Sequence, residues 1–128
     1  MPRGVVGGAF RICFNCSQLA YRLVAFFTNL RSRWGGMFTG DQAYFVQAES
    51  FRAIGGFADM ALMEDIEIIT RLRAIGKRVL LPHSVTTSAR RHMKNGLART
   101  VLFMWYLRTL YRFGVSPEQL QRKYMDVR

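Results

Sequence analysis

A glycine loop feeding an acid-headed helix, between Phe51 and Gly76, constrains this chain more than any other stretch. From Glu64 to Ile75 there is neither Gly nor Pro. Ile66, Ile69, Leu72 and Ile75 recur at threes with Ile68 beside them, which is the spacing of an amphipathic helix. Gly76 supplies the stop. Glu64, Asp65 and Glu67 fill the first turn and Arg71 and Arg73 the last, so both ends of the helix dipole are complemented. The spacing predicts a helix over Glu64–Ile75, entered from the loop Ile54-Gly55-Gly56-Phe57.

Side-chain direction then separates the three acids. Residues three, four and seven apart share a helix face, so Asp65 lies in line with Ile69 and Leu72, toward the buried side. Glu67 reaches Arg71 one turn on and is expected in a surface ion pair. Glu64 falls on the edge, above Ile68 and Arg71. Two readings stand at this point. Glu64 and Asp65 either complement the dipole alone, worth roughly 0.3–1 kcal/mol each, or Asp65 lines a cleft beside the glycine loop.

Five short motifs in order carry a resemblance. They are Gly40-Asp41-Gln42, then Phe51 to Phe57 with its Gly55-Gly56-Phe57, then Met63-Glu64-Asp65, then Arg71-Leu72-Arg73 with Gly76, then Ser88 with Arg90-Arg91. Together they resemble the second half of a family 2 (GT-A type) glycosyltransferase, in the small bacterial branch with GDQ, GGF, LMED and SxRR motifs. The likeness runs from about Gly4 to Val127. Any one piece alone is weak; the order and separations are what make the signal.

The resemblance implies an α/β fold: a partial GT-A, nucleotide-diphospho-sugar transferase domain, without its N-terminal nucleotide-binding half. One domain over residues 1–128 is expected, with a helical tail from about 93 to 128. It implies inverting transfer of a sugar from a nucleotide-diphosphate donor to an acceptor hydroxyl. Asp65 becomes the general base, with Glu64 beside it. Gly40, Asp41 and Gln42 border the donor sugar, Arg90 and Arg91 the donor diphosphate, and Gly55, Gly56 and Phe57 form the acceptor-side loop. The family binds Mg or Mn through an upstream Asp-x-Asp, and no Asp-x-Asp occurs here. The chain alone is therefore expected not to transfer sugar, as a truncated frame, a fragment or half of a split enzyme whose partner is the missing nucleotide-binding half. Separately, open sheet edges and the apolar 97–113 helix leave room for a homodimer. Relatives carry an aromatic where this chain has His92.

The remaining segments read from their own residues. Gly4 to Phe14 reads as a loop into a strand, with the β-branched and aromatic residues after the glycines. Ser17 to Trp34 reads as a helix N-capped by Ser17, with Leu19, Leu23, Phe26, Phe27 and Leu30 on its apolar side, ended by Gly35-Gly36. Met37 to Val46 reads as a turn and a short strand, and Glu49 to Ala53 as one or two helical turns. Val79–Leu81 and Val85–Thr87 read as strand pieces interrupted by Pro82, at an edge or a bulge. Asn95-Gly96 marks a turn before a helix over Leu97–Phe113, and Ser116-Pro117 opens the last helix. Cys13 and Cys16 form a lone Cys-x-x-Cys with no second pair, and His83 and His92 lie too far apart for the histidine spacing of a zinc site. Packing at a strand-to-helix turn is the simpler role for the two thiols.

Charge supplies the rival readings. With 19 Lys+Arg against 8 Asp+Glu the formal net charge is +11, which points to an anionic partner. A basic nucleic-acid-binding module is one alternative, but no helix-turn-helix, zinc-finger or RNP-like signature supports it. A non-catalytic membrane-surface or oligomerisation domain is the other: the 97–113 helix mixes aromatics with Arg99, Arg108 and Arg112, as suits a bilayer interface. No signal peptide and no span of about 20 apolar residues is read. The expected location is cytoplasmic, with peripheral contact at the cytoplasmic membrane face.

Overall fold

One long strand, β1 (Val5–Phe14), runs through the middle of a three-stranded sheet ordered β2-β1-β3. The structure is a computed structural model and describes residues 4–127. After β1 come α1 (Leu19–Gly35), a short 3₁₀ turn at Gly40–Gln42, β2 (Phe45–Val46), α2 (Ala48–Ala53) and α3 (Glu64–Ile75). Then follow β3 (Lys77–Thr87), α4 (Arg90–Asn95), α5 (Leu97–Arg112) and α6 (Pro117–Val127). The fold is mixed α/β. β3 runs parallel to β1 along its whole length, and β2 pairs antiparallel at Gly7 and Gly8.

The glycines of β1 lie within the strand, where the sequence reading placed a loop. A Cβ at Gly8 would overlap the Val79 carbonyl on one side and the Phe45 ring on the other. Their role is close approach, with both neighbours pressed against a bare backbone. β3 supplies β1 with a parallel neighbour. The register jumps from Phe10↔Leu81 to Arg11↔Ser84, so Pro82 and His83 form the bulge that the proline foretold. At Ile12 the Asn29 side chain takes the place of another strand: its Oδ1 accepts from the Ile12 N–H at 2.8 Å and its Nδ2 donates to the Ile12 carbonyl at 3.0 Å.

α1 starts at Leu19, its cap one residue later than the sequence implied. Gln18 is the cap residue and makes no side-chain capping bond, so Ser17 is not the N-cap. The preceding chain is held extended against β3, with the Asn15 N–H on the Thr87 carbonyl at 3.1 Å and the Ala89 N–H on Asn15 Oδ1 at 2.9 Å. Gly36 ends the helix in the left-handed region, at φ 59°. The side of α1 that packs inward carries Tyr21, Ala25 and Ser32. The apolar stripe of Leu19, Leu23, Phe26, Phe27 and Leu30 faces outward and is exposed.

α3 has the predicted bounds and ends at Gly76 as predicted. It joins two apolar cores. Ile68, Ile69 and Leu72 are buried with Val6, Ala9 and Phe38 against the sheet. Its entry residue Met63 is buried with Leu107 of α5 and Leu120 of α6, with Ile66 packed alongside. Burying an aliphatic side chain of this size is worth about 1.5–3 kcal/mol. α3 therefore fixes the position of the helical tail relative to the sheet. The tail itself follows its sequence signals: Gly96, at φ 83°, separates α4 from α5, and the Ser116 hydroxyl accepts from the Gln119 N–H at 3.3 Å as an N-cap should.

Candidate functional site

Asp65 occupies the second residue of α3, and its direction is set one residue before the helix. Met63, buried and left-handed at φ 70°, turns the chain sharply into α3. The carboxylate then lies against the 3₁₀ turn. Its Oδ2 accepts from the Gly40 N–H at 3.1 Å and its Oδ1 from the Ile66 N–H at 2.8 Å. Asp41 follows on the same turn, its Oδ1 accepting from the Thr39 hydroxyl at 2.5 Å. Both acids line one open cleft of about 290 Å³.

The opposite walls are basic. Arg31 of α1, Arg108 of α5, and Arg91 and His92 of α4 line the same cleft. Burial lowers the Arg31 pKa from its ordinary value, Arg108 adds to that by like charge, and Asp41 and Asp65 oppose it. The Nε atoms of Arg31 and Arg108 are buried without a hydrogen-bond partner among the described residues. Two cations thus share a cleft with Asp41 and Asp65, and neither forms an ion pair with those carboxylates within 4.0 Å. Arg91 also stacks over the Tyr124 ring, 4.9 Å from its centroid.

His92 fills the floor as an aromatic would. Its ring is edge-on to Phe14 at 5.4 Å and to Tyr21 at 6.2 Å. Burial lowers its pKa, Arg91 lowers it further and Asp41 pulls it back up, so the neutral ring is favoured. Tyr44 lies near the acids, its phenol raised above the ordinary value by burial and then by Asp65 and Glu64.

The structure thus brings together Gly40, Asp41, Asp65 and Arg91 from the sequence-derived set. The others lie elsewhere. Gln42 is fully buried: its Oε1 accepts from the Thr39 N–H at 3.1 Å, and its Nε2 donates to the Ser32 hydroxyl at 3.0 Å and the Phe10 carbonyl at 3.4 Å. It ties the turn to α1 and β1 and does not face the cleft. Glu64 is exposed and outside the lining. Arg90 is outside the cleft lining; it lines a neighbouring groove with Ser88 and Lys94, and Arg91 borders both spaces.

The double-glycine loop is also outside the cleft lining. Gly55 and Gly56 have φ of 81° and 75°, the left-handed region that favours glycine. Arg71 holds this loop by donating to the Ile54 carbonyl and, at 2.8 Å, to the Gly56 carbonyl, while pairing with Glu67 as the helix spacing implied. Phe57 neither plugs the core nor reaches the cleft: its ring meets Phe51 at 5.4 Å and stays 53% exposed.

Sequence reasoning missed Arg31 and Arg108. A signal was present: Val24, Thr28 and Arg31 on α1, and Thr100, Met104 and Arg108 on α5, each recur at helical spacing and each set lines the cleft. A protein-held divalent ion does not fit these residues. No three His, Cys, Asp or Glu side chains come together among the described residues, and Asp41 and Asp65 already accept hydrogen bonds from Thr39, Gly40 and Ile66. Cys13 and Cys16 are free thiols, and Cys13 Sγ packs on β3, 3.4 Å from the Thr86 hydroxyl. Comparison with protein-family models, with curated proteins and with solved structures finds no match.

Proposed function

We propose that this chain is the acceptor-side, base-bearing portion of a sugar transferase that uses a nucleotide-diphosphate donor and inverts the anomeric centre. The observation that carries the reading is Asp65, held by the Gly40 amide in a cleft whose other walls are Arg31, Arg91 and Arg108. The ordered GDQ, GGF, MED and SxRR motifs support it from the sequence.

In this reading the acceptor hydroxyl attacks the anomeric carbon and its proton passes to Asp65. The carbon–oxygen bond to the diphosphate breaks as the new glycosidic bond forms. The electron pair leaves with the diphosphate, whose charge is met by guanidinium groups already fixed in place. A positioned base contributes roughly 10²–10⁴-fold. The motif reading gave the diphosphate to Arg90 and Arg91; Arg31 and Arg108 join Arg91 in that role in place of Arg90, because they line the cleft that holds Asp65 and Arg90 does not. The nucleoside is left to residues outside this set, so donor binding by the 128-residue chain is weak.

The test is titration of the isotope-labelled chain with nucleotide-diphosphate sugars and Mg²⁺, followed by NMR. Expected are millimolar-range shifts confined to the Gly40 and Asp41 amides and the Arg31 and Arg108 Nε–H signals, lost in Arg31→Gln. Shifts absent from those signals at saturating donor, whatever the sugar, defeat the reading. Tight binding defeats the narrower expectation that the chain alone is an incomplete enzyme.

A further inference from the structure

We propose that the outward faces of α1 and α5 form one surface that docks on an anionic lipid bilayer. This rests on the surface of the molecule and not on the sugar-transfer reading.

α1 is turned inside out relative to an ordinary surface helix. Its small and polar residues face the sheet, and its apolar stripe faces solvent, with Phe26 59%, Phe27 60% and Trp34 85% exposed. α5 continues the surface with Val101 and with Trp105, the latter 58% exposed. Phe27 and Trp34 of α1 and Trp105 of α5 line one broad apolar groove of about 680 Å³. An exposed apolar patch on this scale marks an interaction site.

Charge selects the occupant. α1 and α5 carry Arg22, Arg31, Arg33, Arg99, Arg108 and Arg112, and no Asp or Glu. On the helical repeat of α1, Arg22 and Arg33 follow one border of the apolar stripe. That is the arrangement of an interfacial helix: rings and aliphatic chains sink to headgroup depth, and the flanking guanidinium groups reach lipid phosphates. A second copy of the chain on this face would set these arginines against the same arginines with no acid between them. Among the described residues no helix is long and apolar enough to cross a membrane, so the contact lies in the plane of the interface.

The chain has two tryptophans, Trp34 and Trp105, and both sit on this face. The full chain is mixed with vesicles of phosphatidylcholine alone or with added phosphatidylglycerol, and emission and co-sedimentation are read. Trp34→Phe and Trp105→Phe variants report each tryptophan separately. The proposal expects both to shift to the blue on anionic vesicles only, and Arg22→Gln with Arg33→Gln to weaken partitioning about tenfold or more. Circular dichroism checks that these exposed substitutions leave the fold intact. No shift on anionic vesicles overturns the proposal and leaves the face to a protein partner. An equal shift on neutral vesicles overturns the charge argument. Blue emission in buffer with a dimeric mass overturns it in favour of a second copy.

Discussion

His92 shows how one residue can keep a shape and change a chemistry. Its ring sits edge-on to Phe14 and Tyr21, where a purely aromatic side chain would pack equally well, but its Nδ1 is buried without a hydrogen-bond partner. Burial and Arg91 hold its native pKa below the ordinary histidine value, outweighing Asp41. The sign follows from linkage. The unfolded chain binds the proton more readily, so the neutral ring's share of stability is complete above about 6.5. That share is lost as pH falls through the lowered native value. We expect wild type to lose stability between pH 7 and pH 5 faster than His92→Phe, read as the gap between their urea midpoints at each pH. A gap that does not widen on acidification would refute this.

At the scale of elements, β1 depends on what its glycines lack. Gly8→Ala would push a methyl group into the Val79 carbonyl and the Phe45 ring, where backbone on the β3 side has no room to yield. We expect a loss of about 1–3 kcal/mol or more, the usual cost of overpacking, visible as a lowered melting temperature. Gly40→Ala, with nothing near its would-be Cβ, serves as the tolerant control. Element boundaries were largely legible: α3, the Pro82 bulge, the Gly36 stop and the Ser116 cap each follow from a local rule. Facing was not. Periodicity finds the stripe of Leu23, Phe26 and Leu30 but not which way it points, because the sheet is satisfied instead by Tyr21, Ala25 and Ser32. The cleft was legible at Asp65, whose helix position fixed its direction. It was illegible at Gln42 and the double-glycine loop, where long-range hydrogen bonds to Ser32 and from Arg71 decide the outcome.

The whole molecule rests on two cores joined through α3, one against the sheet and one within the tail. Leu72 and Leu120 are both fully buried, one in each core. Truncating either to Ala should cost about 2–5 kcal/mol, but with different reach. Leu72→Ala is expected to speed amide exchange throughout β1, β3 and α3. Leu120→Ala should release α6 and the end of α5 first, leaving β1 protected, as measured by hydrogen exchange. Equal loss of protection in β1 for both variants would mean one cooperative unit. The net charge of +11 is spread unevenly over this frame, since α3 carries Glu64, Asp65 and Glu67 while α1 and α5 carry only arginines.

The amide of Asn29 sets a boundary on how the sheet can grow. β2 pairs beside Gly7 and Gly8, and because the Asn29 amide already occupies the Ile12 N–H and carbonyl, a strand on that side of β1 is turned away farther along. An aspartate in its place would keep the acceptor and lose the donor, setting a negative oxygen against the Ile12 carbonyl. One side-chain nitrogen thereby decides whether this stretch of β1 has its carbonyl satisfied within the molecule or left for another chain to reach.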